Sequence, residues 1–174
     1  MSKRIIKKVA VLGSGIMGSQ IACHFANIGI EVLLLDIAPK ELSAAEIAQN
    51  LDLNHPKVRN RIVNDSLSKA VKMSPAPLYH IDFAKRIKTG NFDDDIQKLS
   101  EVDWTIEVVV ERLDIKHIIL EKVDAHRKAG SLVSSNTSGI PIHLMLDGRS
   151  DDFKKHFCGT HFFNPPRYLQ LLEV

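Results

Sequence analysis

The apolar positions along this 174-residue chain predict a sheet wound with helices. Short apolar runs typical of strands recur at residues 8–12, 31–35, 104–110, 131–135 and 156–161. Apolar residues at helical spacing occupy most of the intervals, most clearly over 16–28 and 113–128. Strands that alternate with helices are typical of parallel sheets, so we predict an α/β fold with a doubly wound, mostly parallel sheet.

Residues 40–103 depart from this alternation. Their pattern predicts, in chain order, helices over 41–51 and 57–73, a proline-broken stretch over 74–79, a short strand over 86–89 and a helix from 93. A helical arm is therefore expected after the second strand. The last residues, 168–174, have the apolar composition typical of a strand, and we expect this strand to be antiparallel at the C-terminal edge.

The second helix of this arm carries a run of cations beside its apolar stripe. The cations are Lys57, Arg59, Arg61, Lys69 and Lys72. Such a run is more often a solvated helix face than a binding site. The alternative is an arm that receives an anionic substrate, and the charge pattern leaves both interpretations open.

A glycine motif follows the first predicted strand and opens the first predicted helix. Gly13 permits a tight turn, Gly15 lets the backbone approach a pyrophosphate, and Gly18 lets the helix pack close to the strand. The amide groups of Ile16 and Met17 lie at the helix N-terminus, which favours phosphate charge. This context, rather than the glycines alone, predicts a Rossmann-type dinucleotide site.

The choice of cofactor depends on Asp36, at the end of the second strand. A carboxylate there accepts hydrogen bonds from the adenosine ribose and repels a 2′-phosphate. Ile37 follows, and the nearest cation, Lys40, lies beyond Pro39. The sequence therefore predicts NAD rather than NADP.

Composition is that of an ordinary globular protein, with 44% hydrophobic and 25% charged residues. A formal net charge of +2 gives no reason to expect a nucleic-acid or membrane partner, and no apolar run is long enough for a transmembrane helix. The basic start, residues 1–4, does not have the form of a signal peptide. Cys23 and Cys158 are expected to be buried thiols, and the expected location is the cytoplasm.

Candidate chemistry lies near the C-terminal end. His161 closes a predicted strand, where doubly wound sheets place reactive groups. If 168–174 folds back, Glu173 reaches the imidazole, fixes its tautomer and leaves the other nitrogen as a general base. Ser138 also falls just past a strand end. From the pair alone, a core histidine with a structural partner is nearly as good an interpretation.

The same region of the sequence allows two other interpretations. Ser138, His161 and Glu173 have the composition of a hydrolase triad, but no G-x-S-x-G sequence surrounds Ser138. His156 and Cys158 would share a strand face that excludes His161, so we predict no metal.

Two acids and a lysine lie in or just after the third apolar run, residues 104–110. Glu107, inside that run, can be a structural acid. Glu111 and Lys116 come just past it, where a nicotinamide ribose would lie.

Three motifs in this order resemble the 3-hydroxyacyl-CoA dehydrogenase family. They are the glycine run of 8–18, Ser135-Asn-Thr-Ser138 and His161-Phe-Phe-Asn-Pro-Pro166. The similarity covers essentially the whole chain, as the family's N-terminal NAD-binding domain. The stretch 74–95 further resembles the long prokaryotic members that also carry an enoyl-CoA hydratase/isomerase-like domain.

The resemblance implies roles by matching position. His161 would take the proton of the 3-hydroxyl group, Glu173 would stabilise the imidazolium, and Ser138 would hydrogen-bond the substrate oxygen. The implied contacts of the nicotinamide half of NAD are Glu111, Lys116 and Asn164, and Asn136 is a further implied contact of the cofactor. Those of the CoA substrate are Ser66 and, less securely placed, Lys72.

The resemblance also implies what this chain lacks. The family's helical C-terminal domain, with a further active-site asparagine and the dimer contact, would follow Val174. We therefore expect one domain over 1–174, little activity from this chain alone, and a homo-oligomeric full-length protein.

Two alternatives remain. One is a catalytically silent NAD-binding module, against which the pair of His161 and Glu173 argues. The other is a related short-chain dehydrogenase of the 3-hydroxybutyryl-CoA or 3-hydroxyisobutyrate type. The motifs at 135–138 and 161–166 argue against the 3-hydroxyisobutyrate type.

Overall fold

The computed structural model describes residues 4–174, so the first three residues of the basic N-terminal stretch lie outside the described part. The strands are β1 (Lys8–Leu12), β2 (Glu31–Asp36), β3 (Ile87–Asn91), β4 (Trp104–Glu107), β5 (Leu132–Ser135), β6 (Phe157–Gly159), β7 (His161–Phe162) and β8 (Leu172–Glu173). The helices are α1 (Ile16–Asn27), α2 (Ala44–Ala48), α3 (Pro56–Arg59), α4 (Arg61–Ala70), α5 (Leu113–His126) and α6 (Asp151–Lys155). Short 3₁₀ helices cover Ile81–Arg86, Ile96–Glu101 and Ile142–Leu146.

Six strands form one parallel sheet in the order β3-β2-β1-β4-β5-β6. The chain reverses its direction of winding between β1 and β4, and ligands of open α/β sheets bind in the crevice at such a reversal. Strands β7 and β8 form a separate antiparallel pair. The predicted Rossmann-type fold and the antiparallel C-terminal strands are both confirmed.

The core has two layers, one on each face of the sheet. In β1, Val9 and Val11 face the layer that contains α1, while Ala10 and Leu12 face the layer that contains α5. All four side chains are fully buried. Since both faces of this strand are covered, its residues form a continuous apolar run rather than an alternating one.

The predicted arm is present, but its helices are shorter than expected. The helix predicted over 57–73 is interrupted at Asn60, whose φ of −105° and ψ of 10° separate α3 from α4. The helix predicted over 41–51 is reduced to α2. It begins after a capping box between Ser43 and Glu46 and ends before Asn50, which adopts a φ of +54°.

Three of the predicted strands also end earlier than expected. Strand β4 stops at Glu107, and β6 stops at Gly159 because its partner β5 ends with the pair Ser135–Gly159. His161 therefore belongs to β7 and not to the main sheet. Only two residues of 168–174 pair as a strand.

Two further helix predictions have different outcomes. The helix predicted from 93 is the 3₁₀ helix Ile96–Glu101, which starts later than expected. The stop predicted for the first helix is present, since Gly29, at a φ of +87°, follows α1.

Two of the cations of the arm form ion pairs with acidic residues of this domain. Arg59 forms an ion pair with Asp94, and Arg61 Nη1 lies 2.8 Å from Glu46 Oε2. Within residues 4–174, no helix combines the length and the apolar character needed to cross a bilayer.

Candidate functional site

The glycine turn between β1 and α1 has the form expected of a pyrophosphate site. Gly13 adopts a φ of +103°, and a Cβ on Gly18 would lie 1.8 Å from the carbonyl oxygen of Gly13. Only glycine fits these two positions. A Cβ on Gly15 would meet nothing within 4 Å, and no side chain caps the N-terminus of α1. The helix end is therefore open to an anionic ligand.

Asp36 is held in place by the turn that it faces. Its Oδ2 accepts hydrogen bonds from the amide of Ser14 at 2.6 Å and from the Ser14 hydroxyl at 2.5 Å. Its Oδ1 accepts from the amide of Ile37 at 2.7 Å. The position of this carboxylate, which is predicted to bind the ribose, is thus fixed by two backbone amides and by the hydroxyl of Ser14, a residue that the sequence did not indicate.

A cavity of about 420 Å³ lies beside this carboxylate. Its largely apolar lining, suited to an adenine ring, includes Gly13, Asp36, Ile37, Phe92, Val109, Arg112, Ile115 and Ile119. Arg112 is an arginine in the same cavity as Asp36 that the sequence did not indicate, because the two residues are far apart along the chain. Its guanidinium is engaged by Asp114, with Nη2 2.5 Å from Oδ2.

A buried ion pair joins the ends of three elements under the sheet edge. Lys116 Nζ, on α5, lies 2.8 and 2.9 Å from the two carboxylate oxygens of Glu107, the last residue of β4. The side chains of both residues are at most 1% exposed. The Ser135 hydroxyl, at the end of β5, donates to the same carboxylate at 2.5 Å. Glu107 is thus a structural acid, as one interpretation of the sequence had it.

Glu111 extends this network to the surface. Its Oε2 lies 3.2 Å from Lys116 Nζ, and its Oε1 accepts from the Thr137 hydroxyl and from the amides of Ser138 and Gly139, both at 3.2 Å. Burial alone would raise the pKa of Glu111, but the hydrogen bonds from Thr137 and Lys116 and the lysine charge lower it to about 2. Glu111 therefore stays ionised throughout the neutral range.

The contacts of Lys116 with Glu107 and Glu111 bear on its predicted contact with the cofactor. Its three ammonium protons face three carboxylate oxygens, two of Glu107 and one of Glu111. Of the lysine and its two partners, it is Glu111 that lines the open cavity. The direct contact of Lys116 with NAD stays a prediction.

His161 and Glu173 form the predicted pair. Nδ1 of His161 lies 2.8 Å from Oε2 of Glu173, across the register pair of β7 and β8. An ionised carboxylate only accepts hydrogen bonds, so in the neutral imidazole Nδ1 carries the proton and Nε2 has the lone pair. The imidazole is about one-third exposed, at 31%. The arrangement suits a general base that is open to a substrate.

The cavity beside this imidazole, of about 320 Å³, brings together most of the predicted nicotinamide-side residues. Its lining includes Met17, Glu111, Asn136, Ser138, His161 and Asn164. Asn136 accepts a bond of 2.9 Å from the amide of Phe162, which ties β5 to β7.

Gln20 is a further polar residue of this region that the sequence analysis missed. It lies on α1, is only 4% exposed, and donates to Asn164 Oδ1 at 3.1 Å. The sequence signal that could have indicated Gln20 is its position as a polar residue on the buried face of an apolar helix.

The arm presents a smaller groove, of about 220 Å³, to the glycine turn. Ser66 lines it together with Gly15 and Ile16. Lys69, rather than the predicted Lys72, is the cation in this groove, and Lys72 is exposed elsewhere on the arm. Among residues 4–174, no three histidine, cysteine, aspartate or glutamate side chains are placed to hold a metal ion.

Cys23 is a buried free thiol, as expected, and burial raises its pKa to about 12. Cys158 is free and half-buried.

The sheet order, the glycine turn and the acid at the end of β2 define a Rossmann-type dinucleotide-binding domain. The sequence profile described as "3-hydroxyacyl-CoA dehydrogenase, NAD binding domain" matches residues 8–174. The chain therefore belongs to the 3-hydroxyacyl-CoA dehydrogenase family, as its NAD-binding domain. The predicted family and the predicted cofactor, NAD, are confirmed.

Curated relatives agree with this assignment. A "Probable 3-hydroxyacyl-CoA dehydrogenase" of Bacillus subtilis is 56% identical over 97% of this chain, and one of Deinococcus radiodurans is 47% identical over the same share. The chain spans 21% and 45% of these two proteins. A "Putative fatty acid oxidation complex trifunctional enzyme" of Rickettsia felis is 40% identical over 97% of this chain, which spans 22% of it. The resemblance to the long, fused members is confirmed.

A solved structure has the same fold. The 3-hydroxybutyryl-CoA dehydrogenase of Escherichia coli superposes with a TM-score of 0.67 at 28% identity, over 98% of this chain and 32% of that one.

We predict that Gly15→Val abolishes NAD binding and leaves the fold intact. Gly15 has a φ of −57°, which any residue adopts, and a Cβ there meets no protein atom within 4 Å. The branched side chain would instead fill the space that a pyrophosphate needs. Titration calorimetry measures the affinity, and an unchanged melting temperature is the control. Wild-type affinity in the folded variant would place the nucleotide elsewhere.

We also predict that Lys116→Met lowers the free energy of unfolding by roughly 3–5 kcal/mol, because it leaves the Glu107 carboxylate buried and unpaired. Lys98→Met is the matched control, because the Lys98–Asp95 pair is half-exposed and its loss should cost under about 1 kcal/mol. Urea unfolding monitored by the fluorescence of Trp104 measures both. Equal losses in the two variants would contradict the assigned role of the buried pair.

Proposed function

We propose that this chain is the NAD-binding and catalytic-pair domain of an L-3-hydroxyacyl-CoA dehydrogenase, which oxidises a 3-hydroxyacyl-CoA to a 3-oxoacyl-CoA in fatty-acid β-oxidation. The observation that carries the proposal is the 2.8 Å contact of His161 Nδ1 with Glu173 Oε2, beside a cavity at the sheet edge. The chain spans only 21–45% of the two relatives that share this activity in name, so the proposal concerns the full-length protein.

The fit to NAD rests on this chain's own geometry. The uncapped end of α1 and the open space at Gly15 suit a pyrophosphate, and the fixed carboxylate of Asp36 suits a ribose. When bound, NAD⁺ supplies the acceptor for the hydride that leaves carbon 3 of the substrate.

The remaining chemistry belongs to protein side chains. In this proposal Nε2 of His161 takes the proton of the 3-hydroxyl group, while Glu173 holds the proton on Nδ1 and offsets the charge that develops on the ring. Ser138 donates its hydroxyl to the substrate oxygen. Its amide is fixed by Glu111 at 3.2 Å, which supports this placement.

Other residues orient the two ligands in this proposal. Asn164, held by Gln20, and Asn136 contact the nicotinamide half of NAD, with Glu111 and Lys116. Ser66 receives the CoA portion together with a lysine of the arm. The groove supports Lys69 for that part, whereas Lys72 rests on the sequence match alone.

A second candidate is a dehydrogenase specific for short chains. The solved 3-hydroxybutyryl-CoA dehydrogenases of Escherichia coli and Ralstonia eutropha favour it, since this chain superposes on them with TM-scores of 0.67 and 0.66. Rates with 3-hydroxybutyryl-CoA and with a long-chain 3-hydroxyacyl-CoA, measured on the full-length protein, separate the two. A catalytically silent NAD-binding module would have no use for the pair of His161 and Glu173, so the pair argues against that alternative.

The surroundings of the enzyme are part of the same proposal. We propose a cytoplasmic protein with one NAD-binding domain over 1–174 and a helical domain after it. That domain would complete the substrate pocket and form a homo-oligomer. Neither a nucleic acid nor a membrane is proposed as a partner, since the formal net charge is only +2.

In the full-length protein, we predict that His161→Ala lowers kcat for 3-hydroxyacyl-CoA oxidation by about 10²–10⁴-fold and leaves NAD affinity nearly unchanged. Glu173→Gln should also lower kcat, because an amide does not offset the imidazolium charge. Initial rates of NADH formation and calorimetry with NAD measure the two effects.

His143→Ala is the matched control, since His143 is exposed and does not line either of the two cavities or the groove described above. It should retain the wild-type rate. A His161→Ala variant as fast as this control would leave the dehydrogenase proposal without its base.

A further inference from the structure

The strand that carries Glu173 has little support of its own. Strand β8 contains only Leu172 and Glu173, both of them exposed, and it pairs with the two residues of β7. Every residue from Tyr168 to Val174 is exposed. An isolated two-stranded pair is at best marginally stable in water. The 2.8 Å contact of Glu173 with His161 therefore requires an anchor elsewhere in this segment.

Arg167 provides such an anchor at the start of the segment. Its Nη1 donates to the carbonyl oxygens of Ala76 at 2.6 Å and Leu78 at 2.7 Å. Its guanidinium carbon lies 4.4 Å from the ring centroid of Tyr79 and 5.0 Å from that of Tyr168. These charge-assisted bonds and the stacking suit a planar guanidinium better than an ammonium group.

The loop 76–79, to which Arg167 donates its hydrogen bonds, is itself fixed to the core. Asn27, at the end of α1, donates to the Pro77 carbonyl at 2.8 Å and accepts from the Tyr79 amide at 2.8 Å. Leu78 is 6% exposed and belongs to the core layer that contains α1. The loop 76–79 is thus a firm point of attachment, to which the Tyr168 hydroxyl adds a bond of 3.0 Å with Ala76.

We propose that Arg167 is a positioning residue for the catalytic pair: by fixing the start of the 167–173 segment to the loop 76–79, it keeps Glu173 on the imidazole of His161. It touches neither cofactor nor substrate, and it acts through Glu173. This inference rests on the function proposed above. It assigns a role to a residue that lies outside the cavities lined by the predicted site residues.

The test is a double-mutant cycle on the full-length protein with 3-hydroxybutyryl-CoA, or a longer 3-hydroxyacyl-CoA if the short one is not turned over. Arg167→Met keeps the length of the side chain and removes its donors. It should lower kcat by about tenfold and leave KM and NAD affinity within about twofold of wild type. In the Glu173→Gln background the same change should lower kcat by less than about twofold, because the residue it positions is already impaired.

Arg149→Met is the matched control. Arg149 is half-buried and its Nε also donates to a backbone carbonyl, that of Asp147, at 3.3 Å, but it lies away from the pair. It should keep the wild-type kcat in both backgrounds. If Arg167→Met does not fold, Arg167→Lys decides the matter, because an ammonium lacks the planar fork and the stacking. Arg167→Lys should then lower kcat by at least about threefold with KM unchanged.

Three results would overturn the inference. They are a wild-type kcat in the folded Arg167 variant, a loss confined to KM, or an undiminished loss in the Glu173→Gln background. The failure of the proposed function has a different signature: the wild-type protein would then oxidise no 3-hydroxyacyl-CoA, although it binds NAD.

Discussion

The buried pair of Glu107 and Lys116 is the constraint on which the cofactor edge of this domain depends. Two charges at most 1% exposed must remain matched, because separating them would leave an ion in an apolar interior. The pair therefore fixes the end of β4 relative to the first turn of α5. The Ser135 hydroxyl adds the end of β5 to the same carboxylate. The ends of β4 and β5 and the first turn of α5 are thus held together at one carboxylate.

Glu111 passes this rigidity to the site. It is held by Lys116 at 3.2 Å, and it in turn holds the amides of Ser138 and Gly139. The low pKa of Glu111, about 2, reflects the same bonds and keeps the carboxylate charged. The loop that contains Ser138 and Gly139 is thus fixed through one acid, which is the kind of preorganisation that oriented catalysis needs.

The proposed catalytic pair is organised in a different way. His161 and Glu173 lie on a small antiparallel pair outside the main sheet, where the apolar core gives Glu173 little support. Their 2.8 Å contact depends on links made at a distance, such as Asn136 to Phe162 and Arg167 to the loop 76–79. The domain therefore combines a cofactor edge fixed by a buried ion pair with a proposed base whose position depends on hydrogen bonds to neighbouring segments.

The sequence predicts the nucleotide half well because its signals are local. The turn needs Gly13 at a φ of +103° and Gly18 against the carbonyl of Gly13, and no other residue satisfies these requirements. Asp36 follows within one βαβ unit. Residues over such short spans are related by the geometry of one strand and one helix, so spacing alone locates them.

The sequence did not predict relations between residues that are far apart along the chain, because these depend on how the strands pair in the sheet. The end of β6 depends on where its partner β5 ends, so His161 was expected in the main sheet although it lies in β7. Arg112 follows β4, and it lines the cavity of Asp36 because β4 pairs in parallel with β1 in the sheet. The hydrogen bond from Arg167 to the carbonyl of Leu78 joins residues 89 positions apart, and no periodic pattern in the sequence indicates it.

The measurement that tests the account most directly follows the hydrogen on carbon 3 of the substrate. The full-length protein is incubated with NAD⁺ and an L-3-hydroxyacyl-CoA deuterated at carbon 3, and the reduced cofactor is analysed by mass spectrometry. The account predicts one deuterium in each NADH formed, and only traces of labelled NADH with the His161→Ala variant. Consumption of the substrate without deuterium in the cofactor, or equal labelling by the variant, would contradict it.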